Sequence, residues 1–227
     1  AGSACGKKMS TDTWGYLGDQ KKFNYALRAD MTKEEFVDEV LTGLVAPPQY
    51  FPKNAVMNKM GYESIDDVLK RGVTPLSVRA FKAAWAEEEA LVIDTRDKVS
   101  FAEGFIPGSI FFGLDSSFAP WVGTLIQDLK HPILFLAEAG KEEEVVTRLS
   151  RVGDNTIGFL EGGMDAWKAA GEEVDTIDEM SAEDFAAKFK QIENPLDVRR
   201  ASEFDAEHFV GVKNFPLDFI NANMSEL

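Results

Sequence analysis

Cysteine and histidine are almost missing from this chain of 227 residues, which holds one Cys, Cys5, and two His, His131 and His208. A single thiol cannot close an intrachain disulfide and cannot by itself build a structural zinc site. Long apolar runs are missing too. The longest, such as Pro132 to Leu136, fall far short of the roughly 20 residues a membrane helix needs, and the first residues show no basic-then-apolar leader pattern. Basic charge is scarce: 24 Lys and Arg stand against 39 Asp and Glu, a net charge of -15 spread along the whole chain. Such a surface repels phosphate backbones and anionic lipid, which argues against nucleic acid and membranes as partners. The expectation is a soluble, cytoplasmic protein.

What is present suffices for real cores: 44% hydrophobic and 11% aromatic residues, in a length that fits one large or two small domains. The first thirty residues, with Gly2, Gly6, Gly15 and Gly18 among polar positions, show no sustained period and read as irregular. At Thr32 a capping box with Glu35 opens a helix carrying Phe36, Val37, Val40, Leu41 and Leu44 on one face, expected to end near Val45. The segment Gln49-Tyr50-Phe51-Pro52-Lys53-Asn54 reads as extended or turning because of its proline. A short helix with Ile65, Val68 and Leu69 leads to Gly72.

From Thr74 helical and strand-like segments alternate. A helix with Val78, Phe81 and Trp85 on one face precedes the apolar run Ala90 to Ile93, which ends in Asp94-Thr95-Arg96. Three more such runs follow: Ile110 to Phe112, Pro132 to Leu136 and Thr156 to Leu160. Short continuous apolar runs are those buried on both faces of a parallel sheet. Helices are expected around Phe118 to Ile126, Glu142 to Arg151 (Val145, Val146 and Leu149 inward) and Met164 to Ala170. The expected fold class is α/β, a parallel sheet with helices on both faces, preceded by a mainly helical segment.

The tail repeats this unit at an offset of 103 positions. Asp94-Thr95-Arg96 returns as Asp197-Val198-Arg199, Ser100-Phe101 as Glu203-Phe204, and Gly108 as Gly211; His208 stands where the first copy has Phe105. Ser181 and Asp184 cap a helix with Phe185 and Phe189, as the helix with Phe81 and Trp85 precedes the first copy. The spacing predicts two copies of one domain, the second truncated.

The string Asp-Val-Arg, Glu-Phe and a Gly-type turn over Asp197 to Asn214, and more loosely over Asp94 to Ile110, resembles the opening signature of rhodanese domains. Gly162-Gly163 followed by Ala166-Trp167 and Gly171 resembles the closing motif. The resemblance implies a first rhodanese-like domain over residues 74–175 and a truncated second over 176–227. In active members a cysteine follows the central strand, and a loop running into a helix stabilises its thiolate for attack on a sulfur donor. Here that segment is Ala137-Glu138-Ala139-Gly140-Lys141-Glu142-Glu143-Glu144. The resemblance puts Ala137 at the nucleophile position and Glu142 where an arginine commonly stands. Alanine cannot form a persulfide, and the carboxylates repel thiosulfate, so this copy is expected to be catalytically inactive, its loop occupied by its own acidic groups. By the same offset the corresponding loop of the second copy falls near position 240, past Leu227, and an active sulfurtransferase through that copy is the alternative. Acidic residues at 142–144 also suit the first turn of a helix; Asp94 and Arg96 read as a structural pair, His208 as a packing residue, His131 as a loop residue.

Ala1-Gly2-Ser3-Ala4-Cys5-Gly6-Lys7, the stretch from Gln20 to Leu27, and Pro47 to Asn54 resemble the C-terminal end of metallo-β-lactamase-fold proteins fused to rhodanese domains, relatives of persulfide dioxygenases and glyoxalase-type hydrolases. The resemblance assigns residues 1–73 to that end plus a helical linker. It implies a metal-dependent upstream enzyme, with zinc or iron held there and neither metal nor cofactor held by this chain. The module is then an accessory region for docking, dimerisation or delivery, the parent's substrate a small thiol or persulfide, and a homodimer a possible assembly. Cys5 reads as an incidental thiol. Both ends of the chain are expected to continue into a longer protein.

Overall fold

The computed structural model describes residues 14–42, 50–128, 130–153 and 155–226. Cys5, the glycines before Trp14, Leu44, Val45 and the Pro47 to Gln49 stretch lie outside them. The chain divides into two compact units, Ala1–Pro47 and Pro48–Leu227.

In the first unit, α1 (Leu17–Phe23) interrupts the stretch expected to be irregular. Helix α2 (Lys33–Leu41) begins with the expected capping box: Glu35 N–H donates to Thr32 Oγ1 at 3.2 Å and Thr32 N–H donates to Glu35 Oε2 at 2.8 Å. The Thr32 N–H, and after it the Thr32 side chain, hold the Glu35 carboxyl below its ordinary pKa. The helix stops at Leu41, short of Val45, where Thr42 turns extended and Gly43 follows in sequence, both poor helix residues. Its expected apolar face is not a core. Phe36, Val37 and Leu41 remain exposed.

The second unit opens with α3 (Phe51–Met60), which corrects the expected extended segment. Pro52 sits in the first turn, where the missing N–H has no intrahelical partner to lose and the fixed φ suits a helix. Helix α4 (Ile65–Gly72) is capped by Ser64 and packs on the sheet, burying Val68. Residues 50–72 therefore lie in the same compact unit as the sheet.

The sheet contains β1 (Pro75–Leu76), β2 (Leu91–Asp94), β3 (Ile110–Phe111), β4 (Pro132–Leu136) and β5 (Asn155–Leu160), ordered β1-β5-β4-β2-β3, every pair parallel. The crossovers are α5 (Val78–Glu87), α6 (Lys98–Glu103), α7 (Phe118–Leu125) and α8 (Glu142–Ser150), and α9 (Gly163–Ala169) follows β5. The period of two explains why β4 is apolar throughout. Ile133 and Phe135 enter one core with Ile93, Phe118, Val145 and Leu149, while Leu134 and Leu136 enter the other with Phe81, Val92, Met164 and Trp167. Each such side chain contributes about 1.5–3 kcal/mol on full burial. Ile110 is half-exposed instead, because β3 is an edge strand.

The chain leaving α9 returns to the sheet. Trp167 Nε1 donates to Glu173 O at 2.7 Å, Phe105 and Asp175 exchange backbone bonds of 2.9 and 3.0 Å, and Ile177 N–H donates to Ala102 O at 3.0 Å.

Beyond it come α10 (Ala182–Lys188), β6 (Leu196–Asp197), α11 (Ala201–Ala206), β7 (Lys213–Asn214) and α12 (Ile220–Asn223). Strands β6 and β7 pair in parallel with Leu196 against Lys213 and Asp197 against Asn214; 103 positions earlier, Ile93 lies against Ile110 and Asp94 against Phe111. The offset also superimposes α11 on α6, residue for residue. What differs is cover. β2 is paired on both sides and Ile93 is fully buried, whereas β6 has only β7 among the described residues and Leu196 is exposed.

Candidate functional site

In an open parallel sheet, ligands gather at the carboxyl ends of the strands. Here that edge is built from Asp94 to Arg96 after β2, Phe112 to Ser116 after β3, and Ala137 to Lys141 after β4. Arg96 ties the first of these segments down. Its Nε and Nη2 donate to both oxygens of Asp94 at 2.6–3.1 Å, and Nη2 also donates to Gly104 O at 2.8 Å. Asp94 is completely buried, so the pair is structural, as the sequence suggested. Thr95 is fixed likewise, its N–H and hydroxyl donating to Leu136 O at 3.0 and 2.7 Å. The ends of β2 and β4 are thereby locked together directly beneath Ala137.

The segment after β4 folds as one tight turn. Lys141 N–H donates to Glu138 O at 3.0 Å, and Gly140, at the third position with φ +86°, takes the left-handed conformation that such a turn requires. Helix α8 starts at once, with Glu142, Glu143 and Glu144 in its first turn. Lys141 Nζ donates to Glu144 Oε2 at 3.0 Å, and Glu144 also accepts from Arg148, whose Nη1 reaches Leu114 O at 2.7 Å. The hydrogen bond to Glu144 raises the Lys141 pKa, and the Lys141 bond with the Arg148 charge lowers that of Glu144. The one cation of the turn is thus engaged by its own helix.

The expected self-occupation of the turn takes a different form. Among the described residues, no carboxylate of Glu138 to Glu144 accepts from the N–H groups of the turn or of the first turn of α8; Glu144 points to Lys141 and Arg148 instead.

Two clefts flank the turn. One, of about 390 Å³, is lined by Arg96, Lys98, Leu114, Glu138, Lys141 and Glu144 among others. The other, of about 300 Å³, brings Ala137, Ala139 and Glu142 together with Arg96, Gly162 and Asp165. Five of the six singled-out residues, Ala137, Glu138, Ala139, Lys141 and Glu142, thus line one cleft or the other, and Gly140 makes the turn between them. At the position directly after β4 the side chain is the methyl of Ala137, and the hydroxyls of Thr95 and Ser116 line the neighbouring cleft. No group of three or more His, Cys, Asp or Glu able to hold a metal is found among the described residues. His131 Nε2 meets Glu89 O at 2.9 Å, and His208 stacks on Phe204 at 3.8 Å with Nδ1 at 2.7 Å from its carbonyl. Sequence reasoning missed Ser116, Leu114 and Arg148 as parts of this edge, because they approach the turn only through folding.

In residues 196–217 the framework of this edge recurs. Arg199 holds both oxygens of Asp197 at 2.6–3.2 Å and donates to Glu207 O at 2.9 Å. Phe215 N–H donates to Asp197 O at 2.8 Å, as Phe112 N–H does to Asp94 O.

Residues 77–170 match the family model described as rhodanese-like domain. The chain is 32% identical over 143 residues to the adenylyltransferase and sulfurtransferase uba4 of Sclerotinia sclerotiorum, an alignment covering 52% of this chain and 31% of that protein; the chain thus spans about a third of that curated relative. Among solved structures, the Alr3790 protein from Anabaena aligns at 22% identity over 45% of this chain and 82% of its own, with a TM-score of 0.40. A metallo-β-lactamase from Staphylococcus aureus aligns at 21% identity over 63% of this chain and 39% of its own, with a TM-score of 0.47. Residues 77–170 are a rhodanese-like domain with sulfurtransferase-related homologues.

Proposed function

We propose that the rhodanese-like domain is catalytically inactive and serves as an accessory, interaction-bearing module. The single observation that carries this reading is the pairing of an intact framework with an emptied turn. Asp94, Arg96 and Thr95 hold the strand ends as a catalytic loop would need, yet Ala137 supplies no thiol, Glu142 lines the cleft of Ala137 and Glu138 lines the cleft on the other flank of the turn. Transfer needs a thiolate stabilised by positive potential; the methyl removes the first requirement and the carboxylates oppose the second. Incubation of the purified chain with thiosulfate and cyanide is expected to give no thiocyanate above background, and turnover comparable to an active rhodanese would defeat the reading.

The recurrence of strand register, ion pair and helix at an offset of 103 positions supports reading residues 176–226 as the opening of a second copy of the same domain. The protein that contains this chain is proposed to be a metal-dependent, metallo-β-lactamase-fold enzyme acting on small thiol or persulfide substrates, with zinc or iron bound outside this chain. Support for that step comes from the resemblance of the segments before Asn54. Metal analysis of the full-length protein checks it: stoichiometric zinc or iron is expected, and a metal-free, thiol-inert product would reject it.

A further inference from the structure

A cleft larger than the two beside the Ala137 turn lies at the opposite end of the sheet, where β4 and β5 begin. Its volume is about 740 Å³, within the range of small-molecule sites. Helices α3 and α4 form one wall, and both precede residue 77, so that wall lies outside the matched region, while Lys130, Ser150, Arg151 and Asn155 come from within it. Met57, Ile65 and Val68 give it an apolar floor, with Val68 continuous with the sheet core.

Its charge runs against that of the molecule. Arg71 is fixed in the wall by a bidentate pair with Glu63 at 2.7 and 2.9 Å and by its Nε bond to Thr156 O at 3.2 Å, so the one described carboxylate lining the cleft is already neutralised. Lys130 and Arg151 also line the cleft, and among the described residues neither side chain is seen in a hydrogen bond or ion pair. Two uncommitted cations over an apolar floor, on a chain of net charge -15, make a local reversal of sign.

We propose that this cleft binds a small amphipathic anion, an acyl chain or aromatic ring that lies on Met57, Ile65 and Val68 with a carboxylate or sulfonate held by Lys130 and Arg151. Apolar burial supplies affinity and the charges fix orientation. The site is separated from the Ala137 turn by the length of the strands and stands or falls independently of the sulfur-transfer reading.

The experiment is titration of the isotopically labelled chain with 1-anilinonaphthalene-8-sulfonate, followed by amide chemical shifts. Saturable shifts are expected in residues 54–71 and 150–155. Lys130→Glu with Arg151→Glu should weaken binding by about tenfold or more, and Ile65→Asp, at an exposed first-turn position, should weaken it with the helix intact by circular dichroism. Decanoate and 1-naphthoate then compete: displacement by the first assigns an acyl chain, by the second a ring. Absence of saturable shifts in these residues at millimolar probe, unchanged affinity in the double variant, or displacement by neither competitor overturns the proposal.

Discussion

Arg96 and Asp94 form a two-pronged pair whose carboxylate has no exposure to solvent and whose guanidinium keeps only 13% of its side-chain surface exposed. Removing the arginine leaves a buried, uncompensated charge. Arg96→Ala is therefore expected to cost about 3 kcal/mol, read as a lower midpoint in urea unfolding. Arg199 makes the same bonds to Asp197 with 48% of its side chain exposed, so Arg199→Ala should shift the midpoint far less. Equal losses would show that geometry, not burial, sets the energy.

Gly72 is required by a close approach. A Cβ there would stand 2.3 Å from Thr156 Oγ1 and 2.7 and 2.9 Å from the methyls of Val146. Helix α4 can seat on β5 and α8 only because that atom is missing. Gly72→Ala should destabilise by about 1–3 kcal/mol through overpacking, despite alanine's better helix propensity, and thermal unfolding would detect it.

The emptied turn can be refilled in steps. Ala137→Cys alone should restore little thiosulfate turnover, since Glu142 lines the same cleft. Ala137→Cys with Glu142→Arg should raise it several-fold over the single variant by reversing the local charge. A double variant no better than the single one would remove charge from the explanation of inactivity.

Asp97 caps α6, accepting from Val99 and Ser100 N–H at 2.9 and 3.0 Å and from the Ser100 hydroxyl. The Ser100 hydroxyl and N–H hold its carboxyl below the ordinary value. A group depressed on folding adds stability above its unfolded pKa, about 3.9 for aspartate, and that contribution is lost as pH falls through the folded value. The midpoint difference between wild type and Asp97→Ala should hence shrink on acidification below about pH 4, and a constant difference would exclude the cap as its source.

The strands buried on both faces were legible because their apolar runs have no other use: β2 and β4 follow directly from Val92 and Leu134 and their neighbours. Strand β1 was not legible, since two residues beginning with Pro75 carry no period and edge strands tolerate proline. Helix α3 was misread because Pro52 stops a helix anywhere except its first turn. The residues of the Ala137 turn could be picked out because they are contiguous. Arg148 and Leu114, and the cleft made by residues from Asn54 to Asn155, are assembled only by packing across the sheet.

The return of residues 173–177 onto Phe105 and Ala102 has a practical meaning for where the domain ends. A fragment cut at residues 77 and 170 would shed the acceptor of the Trp167 indole, the bridge partner of Phe105 and the Val68 wedge together. Its ends would fray into the two cores they now seal. A fragment from about the start of α3 to Ile177 is expected to fold on its own, and a protease should find its first cuts outside those limits.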